Sequence, residues 1–143
     1  MGRAISASDL GIDLQPGAEP ALFCWLIASF LMGKRIQADI AARAYRMIVQ
    51  QHGRDTPRKL AACSHRELVR MLGEAHYVRY DESTAQRLSS LCQALLDEYS
   101  GQVGEIRAAS LDRKAFEQRL LAFAGVGPKT VEIFMRDAAA VLF

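Results

Sequence analysis

Two glycines set two residues apart, with a valine between them and a lysine two residues beyond, are the part of this chain best suited to chemistry. They lie in the stretch Leu120-Leu121-Ala122-Phe123-Ala124-Gly125-Val126-Gly127-Pro128-Lys129-Thr130-Val131-Glu132-Ile133. Gly125 and Gly127 permit backbone conformations, and a closeness of approach, that a side chain would block. Val126 is placed to plug down between the flanking apolar helices and fix their angle. The N–H groups of the turn and of the next helix's first residues, Lys129 and Thr130 among them, then point outward. They form an anion site favoured by the helix dipole and suited to one backbone phosphate. Lys129 sits in that helix's first turn, where the positive dipole end disfavours an ammonium and favours a nucleophilic amine. A lysine there also suits plain phosphate neutralisation, or pairing with Glu132 three residues on, and the sequence leaves these roles open. A turn that merely happens to contain glycines is the alternative for the whole stretch. The flanking helices and the Pro128-Lys129-Thr130 continuation favour a helix-hairpin-helix over about 111–142.

The remaining residues offer less chemistry. Lys34-Arg35 follows an apolar segment and suits contact with a backbone phosphate, or a solvated helix end. Arg79 is the nearest further cation, in a loop. His76 has no partner at metal-ligand spacing. Cys24, Cys63 and Cys92 are scattered, odd in number and set among apolar residues. That pattern argues against a disulfide framework and a zinc site alike, and implies small core hydrophobes in a reducing compartment. A net charge of +2 is too small for a general nucleic-acid coat protein, so any such contact must be local.

Helices must position these residues. The 143 residues are half hydrophobic and 24% charged, the composition of one domain able to bury a core. Residues 1–19, with Gly11, Pro16 and Gly17, read as a loosely ordered lead-in. From Pro20, Ala21 to Met32 is apolar on nearly every side, which predicts a helix in the middle of the domain, ended by Gly33. A second helix carries Ile36, Ile40, Ala44, Met47 and Ile48 and closes at Gly53. Thr56-Pro57 and the capping box Ser64-x-x-Glu67 each open a further helix. Residues 76–80 predict a loop, after which Leu88, Leu91, Leu95 and Tyr99 mark the inner face of a long helix. Ser110 is the expected cap of the next, with Phe116, Leu120 and Leu121 inward, and Thr130 to Leu142 forms the last. No segment alternates polar and apolar residues, so the expectation is an all-α domain over 20–143 without a sheet.

At this point the chain resembles the helix-hairpin-helix DNA glycosylases, the superfamily of endonuclease III. The resemblance runs over roughly 20–140, through "PALFCWLIASFLMGKRIQADIAARAY", "HYVRYDESTAQRLSSLCQALLDEYSGQV" and the hairpin. It implies a six-helix-barrel-like domain that binds double-stranded DNA, damaged or abasic, through Gly125, Val126, Gly127, Lys129 and Thr130, with Lys34, Arg35 and Arg79 as further contacts. Lys129 matches the lysine that attacks the sugar C1′ in bifunctional members, forms a Schiff base and nicks the strand by β-elimination. Lys34 falls where the family carries a gap-filling glutamine.

Three departures accompany the likeness. The family's essential aspartate lies beyond the lysine-bearing helix, whereas this chain runs only 14 residues past Lys129. Asp137 lies over two turns away on the same helix, about 12 Å along the axis, so the aspartate's role is not transferred to it. The iron–sulfur cysteines have no counterpart, so no cofactor and no metal are expected. Most of the second helical domain is missing, and the apolar ending Val141-Leu142-Phe143 suggests a homodimer through uncovered C-terminal surface. The sequence thus supports two readings: a glycosylase or abasic-site lyase using Lys129, and a non-catalytic DNA-binding module. A truncated or excised domain is a third. A charged start and an apolar stretch too short for a bilayer imply a cytoplasmic protein without membrane contact.

Overall fold

The computed structural model describes residues 4–143, and no described residue lies in a β-strand. Among the described residues eight α-helices follow one another: α1 (Glu19–Met32), α2 (Ala38–Tyr45), α3 (Pro57–Ala61), α4 (His65–Glu74), α5 (Asp81–Tyr99), α6 (Val103–Ala108), α7 (Arg113–Leu121) and α8 (Pro128–Leu142). A π-helical stretch, Arg46–Gln51, continues α2. Helix α1 is the axis of the molecule because it has no polar face to offer water. Trp25, Leu26, Ile27, Phe30 and Leu31 are all fully buried. α2, α5, α6 and α8 pack around it, with α3 and α4 laid on α5. The Trp25 indole N–H donates to Phe134 O at 3.0 Å, satisfying the one polar atom of that ring and tying α1 to α8.

Local chemistry sets most boundaries. Thr56 Oγ1 accepts from Lys59 N at 3.1 Å at the head of α3. Ser64 and Glu67 form the reciprocal capping box of α4. Ser110, the expected cap of α7, instead ends α6, its hydroxyl donating to Ile106 O at 2.7 Å. Asp112 does the capping, accepting from Ala115 N at 2.9 Å, because it stands one residue ahead of the helix whereas Ser110 is still in the preceding turn. Leu121, expected inward, is 42% exposed.

Helix α6 has no counterpart among the helices expected from the sequence. Its first N–H groups are satisfied from a distance: the Glu19 carboxylate accepts from Val103 N at 2.8 Å and also from Gly104 N. A cap supplied from the head of α1 leaves no local trace near residue 102.

From Ala4 onward, the described part of the lead-in is fastened down. Ala7, Leu10 and Ile12 are buried. Asp137 Oδ2 accepts from Ala7 N at 2.7 Å, Arg136 donates to Ile5 O at 3.2 Å, and Gln50 donates to Leu10 O at 3.2 Å. The segment shows no helical period because side chains of α8 and of the π-helical stretch, not its own repeat, hold it. The rest of the expected 1–19 segment, residues 1–3, lies outside the described residues.

Candidate functional site

The α7–α8 hairpin is built from beneath by Phe123 and Val126, each 6% exposed, with the Phe123 ring against Tyr99 at 6.0 Å. Val126 thus sits inside, as a plug between two helices must. The two glycines differ. Gly125 has φ +81°, and a Cβ there would stand 2.8 Å from Arg87 Cβ and 3.0 Å from Phe30 Cε1. Both its backbone and its neighbours require glycine. Gly127 is extended, with φ −111° and ψ −178°, and a Cβ there would meet nothing within 4 Å. The fold makes no demand for glycine at 127.

Gly127 is also the N-cap of α8, and it has no side chain to bond the first-turn N–H groups. Val131 N is bonded to Gly127 O at 3.1 Å. Pro128 has no N–H, which leaves those of Lys129 and Thr130 at an uncapped, positive helix end. The Thr130 side chain itself is turned inward, 1% exposed, against Gly33, where its hydroxyl occupies the space a Cβ would need. Thr130 therefore offers a ligand its backbone only. Its side chain sets how closely α8 approaches the end of α1.

That approach brings Lys34 to the hairpin. Lys34 Nζ donates to Gly125 O at 2.7 Å and lies 4.7 Å from the centre of the Phe30 ring. Partial burial, and then the Arg87 charge, draws the Lys34 ammonium below its ordinary value of 10.5. Lys34 is thus committed to holding the turn. Lys129 is exposed, with Nζ 3.6 Å from Glu132 Oε1 across one helical turn. Lys129 and Lys34 border a common hollow of about 380 Å³, walled by Met32, Ile36, Ile133 and Arg136. Asp137 is bonded to Ala7 N, as above, and takes no part in it.

Arg35 and Arg79 are exposed. Arg79 does not line the hollow beside Lys129; its guanidinium lies 5.2 Å over the Tyr80 ring in a loop where His76 and Tyr80 both adopt left-handed φ, at 63° and 64°. Such non-glycine conformations persist only where surrounding structure holds them. Sequence reading missed Arg87, which packs against Gly125. On the helical pattern of α5 it is one more outward charge, and only the tertiary contact distinguishes it. Burial pushes the Cys24, Cys63 and Cys92 thiols up, so none is an activated nucleophile. Among the described residues no three His, Cys, Asp or Glu side chains converge on a metal position. No described helix is long and apolar enough to cross a membrane.

No protein-family model matches the chain, and no curated protein matches it by sequence. Among solved structures, a trapped endonuclease III–DNA covalent intermediate with an estranged adenine superposes with a TM-score of 0.65 over 94% of this chain. The chain has an endonuclease III-like fold. Sequence identity is 20%, so the likeness is one of fold, and the chain spans 58% of that longer protein. The hairpin, the axial helix α1 and the Lys34 turn are the parts of this endonuclease III-like fold that form the hollow beside Lys129.

Proposed function

We propose that this protein is a DNA base-excision-repair protein that grips duplex backbone through the Gly125–Lys129 turn and uses Lys129 as an abasic-site lyase. The observation that carries the reading is the uncapped head of α8. There, Gly127 is not required by the fold, two N–H groups are open, and an exposed lysine amine stands in the helix's first turn. A phosphate brought onto these N–H groups places the neighbouring sugar near Lys129, the arrangement that addition to C1′ needs.

In the lyase step the unprotonated Lys129 amine adds to the C1′ aldehyde of an opened abasic sugar and loses water to give an imine. Loss of a proton from C2′, with Glu132 or solvent as acceptor, then expels the 3′-phosphate and cuts the strand. Removal of an intact base asks more, since a carboxylate must support the sugar cation, and Asp137 is bonded elsewhere. That same engagement favours a second reading, a DNA-binding module without base-excision chemistry. The test of the shared part is binding to a short duplex. Affinity is expected to be sequence-independent and to fall log-linearly with salt, by about 0.9 per phosphate contact. Salt-independent or absent binding would contradict both readings.

A further inference from the structure

A second hollow, of about 290 Å³, lies on the other side of Lys34, between the turn that ends α1 and the start of α5. Its walls carry three cations, Lys34, Arg35 and Arg87, with Ser83, Thr84 and Tyr80. Among the described residues no carboxylate pairs with any of the three. Lys34 is bonded only to Gly125 O, and Arg35 and Arg87 have no hydrogen-bond or ion-pair partner. Like charges gathered around a hollow without a counter-ion repel one another. The effect is felt at Lys34, whose ammonium is disfavoured by Arg87 after burial. An anion in the hollow reverses that repulsion.

The wall also holds an unsatisfied polar group. Thr84 is 1% exposed and its hydroxyl makes no hydrogen bond. It lies near enough to the Tyr77 phenol to temper the rise that burial causes there, to about 12. The Tyr77 hydroxyl itself donates to Leu31 O at 3.1 Å. A ligand oxygen in the hollow would give the Thr84 hydroxyl a well-aligned acceptor.

We propose that this hollow is a phosphate-group site, separate from the hairpin N–H groups and coupled to them through Lys34. Its place beside the hairpin suits a second phosphate of the same nucleic acid, an assignment that rests on the DNA-binding reading above. Two sources share the chemistry: an internal phosphodiester of continuous duplex and a terminal phosphomonoester at a strand break.

The test begins without DNA. Inorganic phosphate titrated at constant ionic strength into the ¹⁵N-labelled protein should shift the Ser83 and Thr84 amides and the Arg87 Nε resonance. Absence of those shifts up to about 10 mM, the weak end of single-ligand affinities, overturns the proposal. Arg87→Gln should abolish them, and Ser83→Glu, which leaves Arg87 in place against Gly125, should do the same. Shifts that persist in both variants place the anion elsewhere and also overturn it. DNA then identifies the source. With continuous duplex, Arg87→Gln should lower the salt slope by about 0.9 if an internal phosphate is bound. Tighter binding of a 5′-phosphorylated nick than of a 5′-hydroxyl nick, lost in Arg87→Gln, identifies a terminal phosphate and supports the site equally. Phosphate shifts in a protein that binds no DNA support the site while contradicting the DNA reading.

Discussion

Replacing the two hairpin glycines with alanine separates what the fold requires from what a ligand requires. At 125, alanine must adopt φ +81°, which costs about 1–2 kcal/mol for an L-residue. Its Cβ also enters at 2.8 Å from Arg87 Cβ, a backbone-proximal atom that cannot swing away, and at 3.0 Å from Phe30 Cε1 in the core. Forcing one methyl into such a space adds about 1–3 kcal/mol. The sum, roughly 2–5 kcal/mol, lowers the melting temperature of a chain this size by about 6–20 °C. At 127 the extended backbone accepts alanine and the Cβ meets nothing. Alanine is a poorer N-cap than glycine, but it loses less backbone entropy on folding, so the net change should stay within about 1 kcal/mol. Duplex affinity should nevertheless fall about tenfold or more, because the methyl group stands where a phosphate must approach. Thermal melts by circular dichroism and binding by fluorescence anisotropy, run on both variants, give the comparison. Equal melting temperatures for Gly125→Ala and wild type, or undiminished affinity in Gly127→Ala, would refute the reasoning.

Glu19→Ala should destabilise the protein by about 1–3 kcal/mol in urea, since the Val103 and Gly104 N–H groups lose their acceptor. An unchanged urea midpoint would show that α6 needs no remote cap. Asp137→Ala should release the N-terminal segment, so hydrogen exchange at Ala7, Leu10 and Ile12 quickens while the melting temperature changes less. Exchange as slow as in wild type would remove Asp137 as the fastening. The Ser64 backbone N–H, and then its side chain, hold the Glu67 carboxyl below its ordinary 4.5. A carboxyl lowered in the folded state stabilises above its unfolded pKa, and that contribution is lost as pH falls through the lower, folded one. Thermal melts below pH 4.5 should therefore decline less steeply in Glu67→Gln than in wild type, and parallel declines would contradict the capping box as the cause.

What could be read in the sequence follows the distance over which each feature is determined. Helix α1 was legible because apolarity on every side leaves a helix no polar face to turn to water, and so places it in the core. The capping box of α4 and the Thr56-Pro57 start of α3 were legible because a cap lies within three residues of its donors. Helix α6 was not, because Glu19 caps it from 84 residues away. The fastening of the lead-in by Asp137 and Arg136 was hidden for the same reason. In the candidate site, Gly125, Val126 and Lys129 stood out by spacing, yet spacing could not tell that Gly125 serves the fold and that Gly127 does not. Nor could it show that Lys34 is spent on the Gly125 carbonyl, or that Thr130 faces Gly33. Arg87 carried no signal, since an arginine on the outer face of an amphipathic helix looks like any other.

The C-terminal residues are more covered than their composition suggests. The Phe143 ring packs edge-on against Phe116 at 5.7 Å and lies beneath the Arg107 guanidinium at 4.1 Å. Arg107 also donates to Leu142 O at 2.9 Å. These contacts leave 45% of Phe143 exposed.

Lys129 is the centre of the functional account, and borohydride trapping on abasic-site duplex tests it most directly. Reduction converts the imine between the Lys129 amine and C1′ into a stable amine, so the adduct survives denaturing electrophoresis. Tryptic mass spectrometry then locates it. Wild type should give one adduct, on Lys129, and Lys129→Ala should give none while binding intact duplex with only modestly reduced affinity. An adduct of equal yield in Lys129→Ala, or none from a wild-type protein that binds the duplex, would contradict the account.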